Sequence, residues 1–491
     1  MDWFHRITVL ILGVILLNGC RTGEGEKFIE INREPALEPD YSGVTVPLNI
    51  APLNFKINED GRFFRINAVS SNGSHITVKS SDGIIQFPLR SWRKLLEGAQ
   101  NGKIEVEVIS GNKNGNTTKY NSFNINVADE PMDPYICYRL LYPGYEIYHQ
   151  LKIIQRSVSD FRETSVVENQ LLDNNCINCH SFNRNRSDKF LFHVRGSKGG
   201  TYFVDGDKIK RINLKTREMK YGAVYPAWHP DGRYVAFSSN NIMQSFHAST
   251  EENIEVTDLA ASLVLYDTEK NEMSAIVKKD SAKYMETFPE WSADGKYIYY
   301  CRSLQYKEGA DFKTIKYDLV RRSFDTELKT FGEAELVFDA RSINKSVSFP
   351  RVSPDGKYLA FTLHDFGNFS IWHKEADLYI IDLQSGKTEK MPLNSDETES
   401  YHCWSSNGKW LVFSSKRGDG LTARPYFAYF DSPDNIGKPF VLPQKDPTLY
   451  CNMILTFNKP EFVNGLIIQG PRSFERASKG NPINAGWSGP E

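Results

Sequence analysis

Apolar and polar residues alternate with a period of two over short stretches of the first quarter of the chain. Phe63-Phe64-Arg65-Ile66-Asn67-Ala68-Val69 is one such run, and His75-Ile76-Thr77-Val78 follows the turn signal Ser71-Asn72-Gly73. Lys103 to Val108 alternates strictly, so one face is apolar and the other charged, and Asn121 to Val127 alternates again. This period places successive side chains on opposite faces of a strand. About a hundred residues of this kind, 21–130, predict a small β-sandwich domain. Only Ser91 to Gly98 looks helical, with Ser91 as its candidate N-cap.

Asp129-Glu130-Pro131-Met132-Asp133-Pro134 reads as a linker by composition. The aromatic, weakly periodic stretch 131–175 reads as a connecting segment packed on the next domain. Beyond it the chain repeats. Tyr225 to Phe237, Phe288 to Tyr300, Phe349 to Phe361 and Tyr401 to Phe413 are four copies of one pattern: a strand, an Asp-Gly or Asn-Gly turn, and a second strand. Glycine at that turn is free to take the positive φ of a tight reversal. Gly232, Gly295, Gly356 and Gly408 stand 63, 61 and 52 residues apart, which leaves room for insertions in a four-stranded unit of ~40–45 residues. Leu263 to Asp267 and Leu378 to Leu383 supply further strands between copies. Cys179-His180-Ser181-Phe182 and Pro460-Glu461-Phe462-Val463 read as degenerate copies. The prediction is an all-β chain built of repeated four-stranded blades.

The copies resemble the repeats of TolB-like propellers, whose signature is Pro-x-Trp-Ser-Pro-Asp-Gly followed by an aromatic strand. That resemblance covers roughly residues 180 to 470 and implies a six-bladed TolB-like β-propeller over 188–475, with a C-terminal tail over 476–491. The preceding sandwich is expected to be immunoglobulin-like.

Composition narrows the function. The formal net charge of -2, with no basic stripe interleaved with aromatics, speaks against nucleic acid as a partner. Ile7 to Leu17 is an apolar run too short to span a bilayer but suited to a signal-peptide core. Leu17-Asn18-Gly19-Cys20 follows it and resembles the lipobox of bacterial lipoproteins. The expectation is a signal peptide over 1–20, a lipid on Cys20, and membrane attachment at the cell envelope, on the periplasmic or surface face of the outer membrane. An ordinary cleaved signal peptide is the alternative. Cys137, Cys301, Cys403 and Cys451 are left over. Their pairing is not legible, and buried free thiols serve as well as disulfides.

One motif carries chemistry. Asn175-Cys176-Ile177-Asn178-Cys179-His180 contains Cys-x-x-Cys-His, which in an exported protein reads as a c-type haem attachment site. Two thiols three positions apart add across the haem vinyl groups, and the adjoining histidine ligates the iron. The segment 176–187 is expected to be a haem-attachment loop at a propeller edge. Cys176 and Cys179 would hold haem c covalently and His180 would be an axial ligand. Candidates for the sixth iron ligand are His247, then His193, then Met243. A thioredoxin-like pair lacks its βαβ surroundings, a zinc site lacks a second ligand pair, and a disulfide of so short a span is strained. The polar, basic stretch Asn183-Arg184-Asn185-Arg186, with Lys189 and Arg195, offers arginines to haem propionates or forms a solvated loop. Glu286 and Glu399, just ahead of two copies, read as channel or, more simply, surface carboxylates.

The whole chain resembles lipoproteins of Bacteroidota that join a sandwich-like start, a single Cys-x-x-Cys-His and TolB-like repeats. The resemblance implies an envelope location and one haem. Three functions follow as expectations: electron transfer to or from an envelope protein docked on the propeller, a protein-binding scaffold in which the haem is structural or sensory, or an enzyme turning over a small ligand at the iron. No hydrolase elbow, phosphate loop or metalloprotease helix is present in the sequence.

Overall fold

The turns of the repeat set the architecture. In the computed structural model Gly232, Gly295, Gly356 and Gly408 have φ of 75°, 75°, 73° and 69°, values that glycine adopts without strain. In three copies the residue opening the turn is a serine whose hydroxyl donates to the turn acid or amide: Ser292 to Asp294, Ser353 to Asp355 and Ser405 to Asn407, each at 2.6 Å. The same hydroxyls accept the backbone N–H of Tyr297, Tyr358 and Trp410. The structure describes residues 28–112, 116–143, 150–246, 254–276 and 283–488. The signal-peptide segment with Cys20, and His247, lie outside the described residues, as does the side chain of Cys179.

Among the described residues six sheets follow one plan of antiparallel strands from the inside out, in chain order in the first five. Their innermost strands are Ile177–Phe182, Ala223–Trp228, Tyr284–Trp291, Ser346–Val352, Glu399–Trp404 and Thr456–Val463. Each innermost strand touches the next, and the last touches the first, so the sheets close a ring around a channel. This is a β-propeller. We number its sheets one to six in the order above.

The sixth sheet departs from the expected segmentation. Residues 131–175 are not only a connection: Tyr135–Leu141, Lys152–Ser157 and Glu163–Glu168 pair outward in turn from Thr456–Val463. The chain before the repeats therefore joins the chain after them in one sheet. At the other end, Ile483–Asn484 and Gly486–Trp487 add parallel to the outer strands Lys208–Asn213 of sheet one and Glu272–Ala275 of sheet two.

The N-terminal domain holds a seven-stranded sheet and a three-stranded sheet. The expected strands appear as Phe63–Ser70, His75–Ser80, Lys103–Gly111 and Phe123–Ala128. Two pairings are parallel: Phe28–Ile31 with Thr117–Tyr120, and Phe123–Ala128 with Thr45–Pro47. The helix spans Leu89–Glu97, starts after Pro88 rather than at Ser91, and buries Trp92, Leu95 and Leu96. The domain docks on sheet five. Asn54 donates to the carbonyls of Gln444 and Lys445, and Gln86 donates to Lys445 as well. Even the linker is pinned, since Asp133 accepts from the N–H and hydroxyl of Ser406 while Trp410 donates to the carbonyl of Glu130.

Candidate functional site

The site grows out of an irregularity shared by the innermost strands. Register shifts by a bulge between Asn178 and Ser181, Val224 and Ala227, Thr287 and Glu290, Ser348 and Arg351, and Ser400 and Cys403. A bulge bends its strand and re-aims a side chain. At this bend Tyr225, Phe288, Phe349, Tyr401 and Lys459 have φ between 49° and 52°, a conformation costly for bulky residues. The four aromatics line up around the channel, with ring centroids 4.3 Å apart for Tyr225–Phe288, 4.2 Å for Phe288–Phe349 and 4.6 Å for Phe349–Tyr401. A proline follows in four of the copies, and His402 takes its place in the fifth.

In this alignment Cys179 occupies the aromatic position of sheet one and His180 the proline position. The Cys-x-x-Cys-His motif is thus not the expected loop at a propeller edge. Residues Ile177–Phe182 form an innermost strand, because the motif lies inside a repeat copy. His180 is buried, at 2% exposure. Burial holds its imidazole well below the usual histidine range, assisted by the positive charges of Lys459 and Arg139. Backbone hydrogen bonds with Lys459 and Cys137 act in the opposite sense. Among the described residues its Nε2 has no hydrogen-bond partner and faces Glu461 Oε2, also unpartnered, at 3.6 Å. Lys459 bridges the two residues, with Nζ 2.5 Å from the His180 carbonyl and 3.0 Å from Glu461.

Cys176, partly exposed, and His180 line one cavity of about 80 Å³ at the channel mouth. The aromatic row forms one wall, Ile242, Gln244 and Val256 another, and Arg139, Arg195, Arg351 and Lys459 contribute positive charge. Arg139 donates to the carbonyl of Ile177 and the side chain of Asn178, which fixes the motif's backbone. Among the described residues lining this cavity His180 is the single histidine, and no methionine lines it. His193 lies off it, its Nδ1 3.2 Å from Thr201 Oγ1, and burial pulls its pKa down to about 4. Ile242 and Gln244 face the cavity, so strand alternation turns Met243 away, 40% exposed.

The stretch after the motif has a structural task. Asn183 donates to the His229 carbonyl, Arg184 to that of Ala293, and Asn185 to those of Trp404 and Phe462. These three residues strap sheets two, three, five and six together across the far end of the channel. Only Arg195 of the basic residues named there reaches the motif's cavity. A second chamber of about 350 Å³ opens on the strap's side, lined by Trp228, Trp291, Trp404, Glu290, Arg351 and Glu461 among others. Glu290, 3.2 Å from Arg351, is pushed up to about 7 by burial. Glu286 and Glu399 are buried rather than on the surface: Glu399 accepts from Ser395, Ser415 and Arg417. Cys137, Cys176, Cys301, Cys403 and Cys451 are free thiols, and burial raises the pKa of Cys403 to about 12.

The family of prolyl oligopeptidase N-terminal β-propeller domains matches residues 225–429. The fold is a β-propeller. No curated protein matches the sequence. Among solved structures, a prolyl endopeptidase is similar at 11% identity and a TM-score of 0.34, over 70% of this chain and 41% of that one. The propeller-bearing chain thus spans less than half of that enzyme's length. An oligogalacturonate lyase from Vibrio parahaemolyticus is similar at 12% identity and a TM-score of 0.32, over 60% of this chain and 91% of that one. A chain of a nidogen/laminin complex is similar at 6% identity and a TM-score of 0.38, over 68% and 99%.

Proposed function

We propose that this chain is an envelope lipoprotein that carries one c-type haem at the mouth of its propeller channel and exchanges electrons with a docked protein partner. Cys176 and Cys179 would form the thioether links, His180 would offer its imidazole to the iron, and Cys20 would bear the lipid anchor. The observation that carries this reading is the bare Nε2 of His180 beside Cys176 in a cavity rimmed by guanidinium and ammonium groups. A haem bound there would supply one-electron redox chemistry. The cavity of about 80 Å³ is too small to enclose the group, so the chain's own residues would hold it by one edge at the channel mouth. Lys459 and Arg139 hold the backbone on either side of His180 through its carbonyl and that of Ile177. Desolvation keeps the buried imidazole neutral, and among the described residues its Nε2 makes no hydrogen bond. Arg195 and Arg351, which line the cavity, would offer countercharge to carboxylates of the group.

The test is a pyridine haemochrome spectrum and intact mass of protein matured with haem-attachment machinery. One covalently bound porphyrin per chain is expected, lost in the Cys176→Ala/Cys179→Ala double variant. A Cys176→Ala/Cys179→Ala variant that folds and docks a partner as the parent does, with no porphyrin in either, would leave the scaffold reading. That second reading draws on the wide chamber at the opposite end of the channel.

A further inference from the structure

Lys416 lies apart from the haem motif and is used by nothing described so far. It follows the second strand of sheet five, Trp410–Ser415, and is 3% exposed. Among the described residues its ammonium has no hydrogen bond and no ion pair. Its one close partner is the face of Trp372, with Nζ 3.5 Å from the ring centroid. The side chain lines a cavity of about 40 Å³ with Thr456, Asn458, Ile371, Leu421 and Arg139. Thr456 and Asn458 are two apart on one strand, so both present their polar ends to the same side. Arg139 is 7% exposed, and its buried Nε has no partner among the described residues. Arg139, Phe369 and Asn458 also line the channel-mouth cavity, so the two spaces adjoin. A desolvated lysine, a cation with an idle donor and a path to the channel mouth make up a small, built pocket.

We propose that Lys416 is a reactive amine that condenses with a small aldehyde or ketone bearing a carboxylate, the carboxylate resting on Arg139. The Nζ lone pair attacks the carbonyl carbon, the carbonyl oxygen leaves as water, and a C=N bond replaces C=O. No oxidant or reductant is consumed. Protonation does not block the attack near neutral pH. Burial lowers the amine to about 7, and the charges of Asp419 and Glu397 only partly oppose it. An amine of this kind is the usual form of a Schiff-base lysine.

The probe is glyoxylate with cyanoborohydride on the full chain at pH 7, followed by peptide mass spectrometry. Lys416 should gain a carboxymethyl group at least about tenfold faster than exposed lysines, which are almost wholly protonated at that pH. Acetaldehyde, which lacks the carboxylate, should show a smaller preference for Lys416. An Arg139→Gln variant should lose the advantage of glyoxylate over acetaldehyde, each rate taken relative to the surface lysines of the same protein. Modification of Lys416 no faster than that of surface lysines overturns the proposal, whatever the haem content. Equal preference for both aldehydes overturns the carboxylate seat.

Discussion

Three tryptophans tie sheets two, three and five each to the sheet before it. Trp228 Nε1 donates to the Ser181 carbonyl, Trp291 to that of Ala227, and Trp404 to that of Arg351, at 3.1–3.2 Å. An indole N–H is a donor only, so the repeat's tryptophan is a directional staple as well as an apolar filler. Replacing Trp291 by Phe removes this second donor from the Ala227 carbonyl, which keeps its ladder partner Ala236, and should cost about 1 kcal/mol, read as a lowered urea midpoint at unchanged slope. A second residue-scale feature is the buried His373, 3.2 Å from Glu255 and 3.0 Å from Glu375. Burial pulls its pKa down, but the two carboxylates outweigh it and lift it to about 9, while Glu375 falls to about 2. A histidine raised above its unfolded value of 6.5 stabilises fully below that pH and loses the contribution as pH climbs through about 9. Glu375 keeps its share above 4.5 and loses it as pH falls through about 2. The melting-temperature gap between the parent and His373→Gln should therefore be widest near pH 5 to 6 and close towards pH 10. A gap that persists at pH 10 would refute this. At this scale the Cys-x-x-Cys-His spacing singles out Cys176 and His180, and the structure brings both to one cavity. Lys459, which holds His180, was not legible, since it stands 279 positions away and is joined to it only by ring closure.

Elements were legible where one face is apolar and a turn residue is specific. The Asp-Gly and Asn-Gly hairpins of sheets two to five, and the strands of the N-terminal domain, appear where alternation and turn chemistry place them. The three outer strands of sheet six carried no such mark. Ile153, Ile154, Gln155, Arg156 and Ser157 are all buried in succession, so the period of two is missing. The strand that joins them to the ring, Tyr135–Leu141, pairs with Thr456–Val463, some three hundred positions later, and local pattern says nothing of that pairing. The C-terminal segment was likewise read as a tail, because two-residue strands are too short to show a period. It covers the open edges of sheets one and two, which otherwise expose rows of unpaired N–H and C=O groups. Removing residues 482–491 should speed amide hydrogen exchange in Lys208–Asn213 and Glu272–Ala275 relative to the inner strands, and should increase self-association in light scattering. Unchanged exchange in both edge strands would mean that the segment does not protect them.

At the scale of the molecule, the N-terminal domain and the propeller share one apolar core. Trp92, Phe123 and Ile125 belong to the same buried cluster as Trp410, Phe427, Phe440 and Phe462 of sheets five and six. Domains joined only by a linker open independently, whereas a continuous core must be exposed together. Sheet six adds to this coupling. Its outer strands come directly after the N-terminal domain and its innermost strand from the end of the repeats, so peeling the domain away also loosens the sheet that closes the ring. Calorimetry of the chain should therefore show one main unfolding transition for both parts. Phe440→Ala, which empties a site 1% exposed at the junction, should cost about 3–5 kcal/mol and lower that transition as a whole. Near-ultraviolet circular dichroism and limited proteolysis within residues 28–130 should lose native signal at the same temperature as the propeller. If the N-terminal domain melts first and the propeller keeps its own transition unshifted by Phe440→Ala, the shared cluster is contact without coupling, and closure of sheet six alone holds the ring.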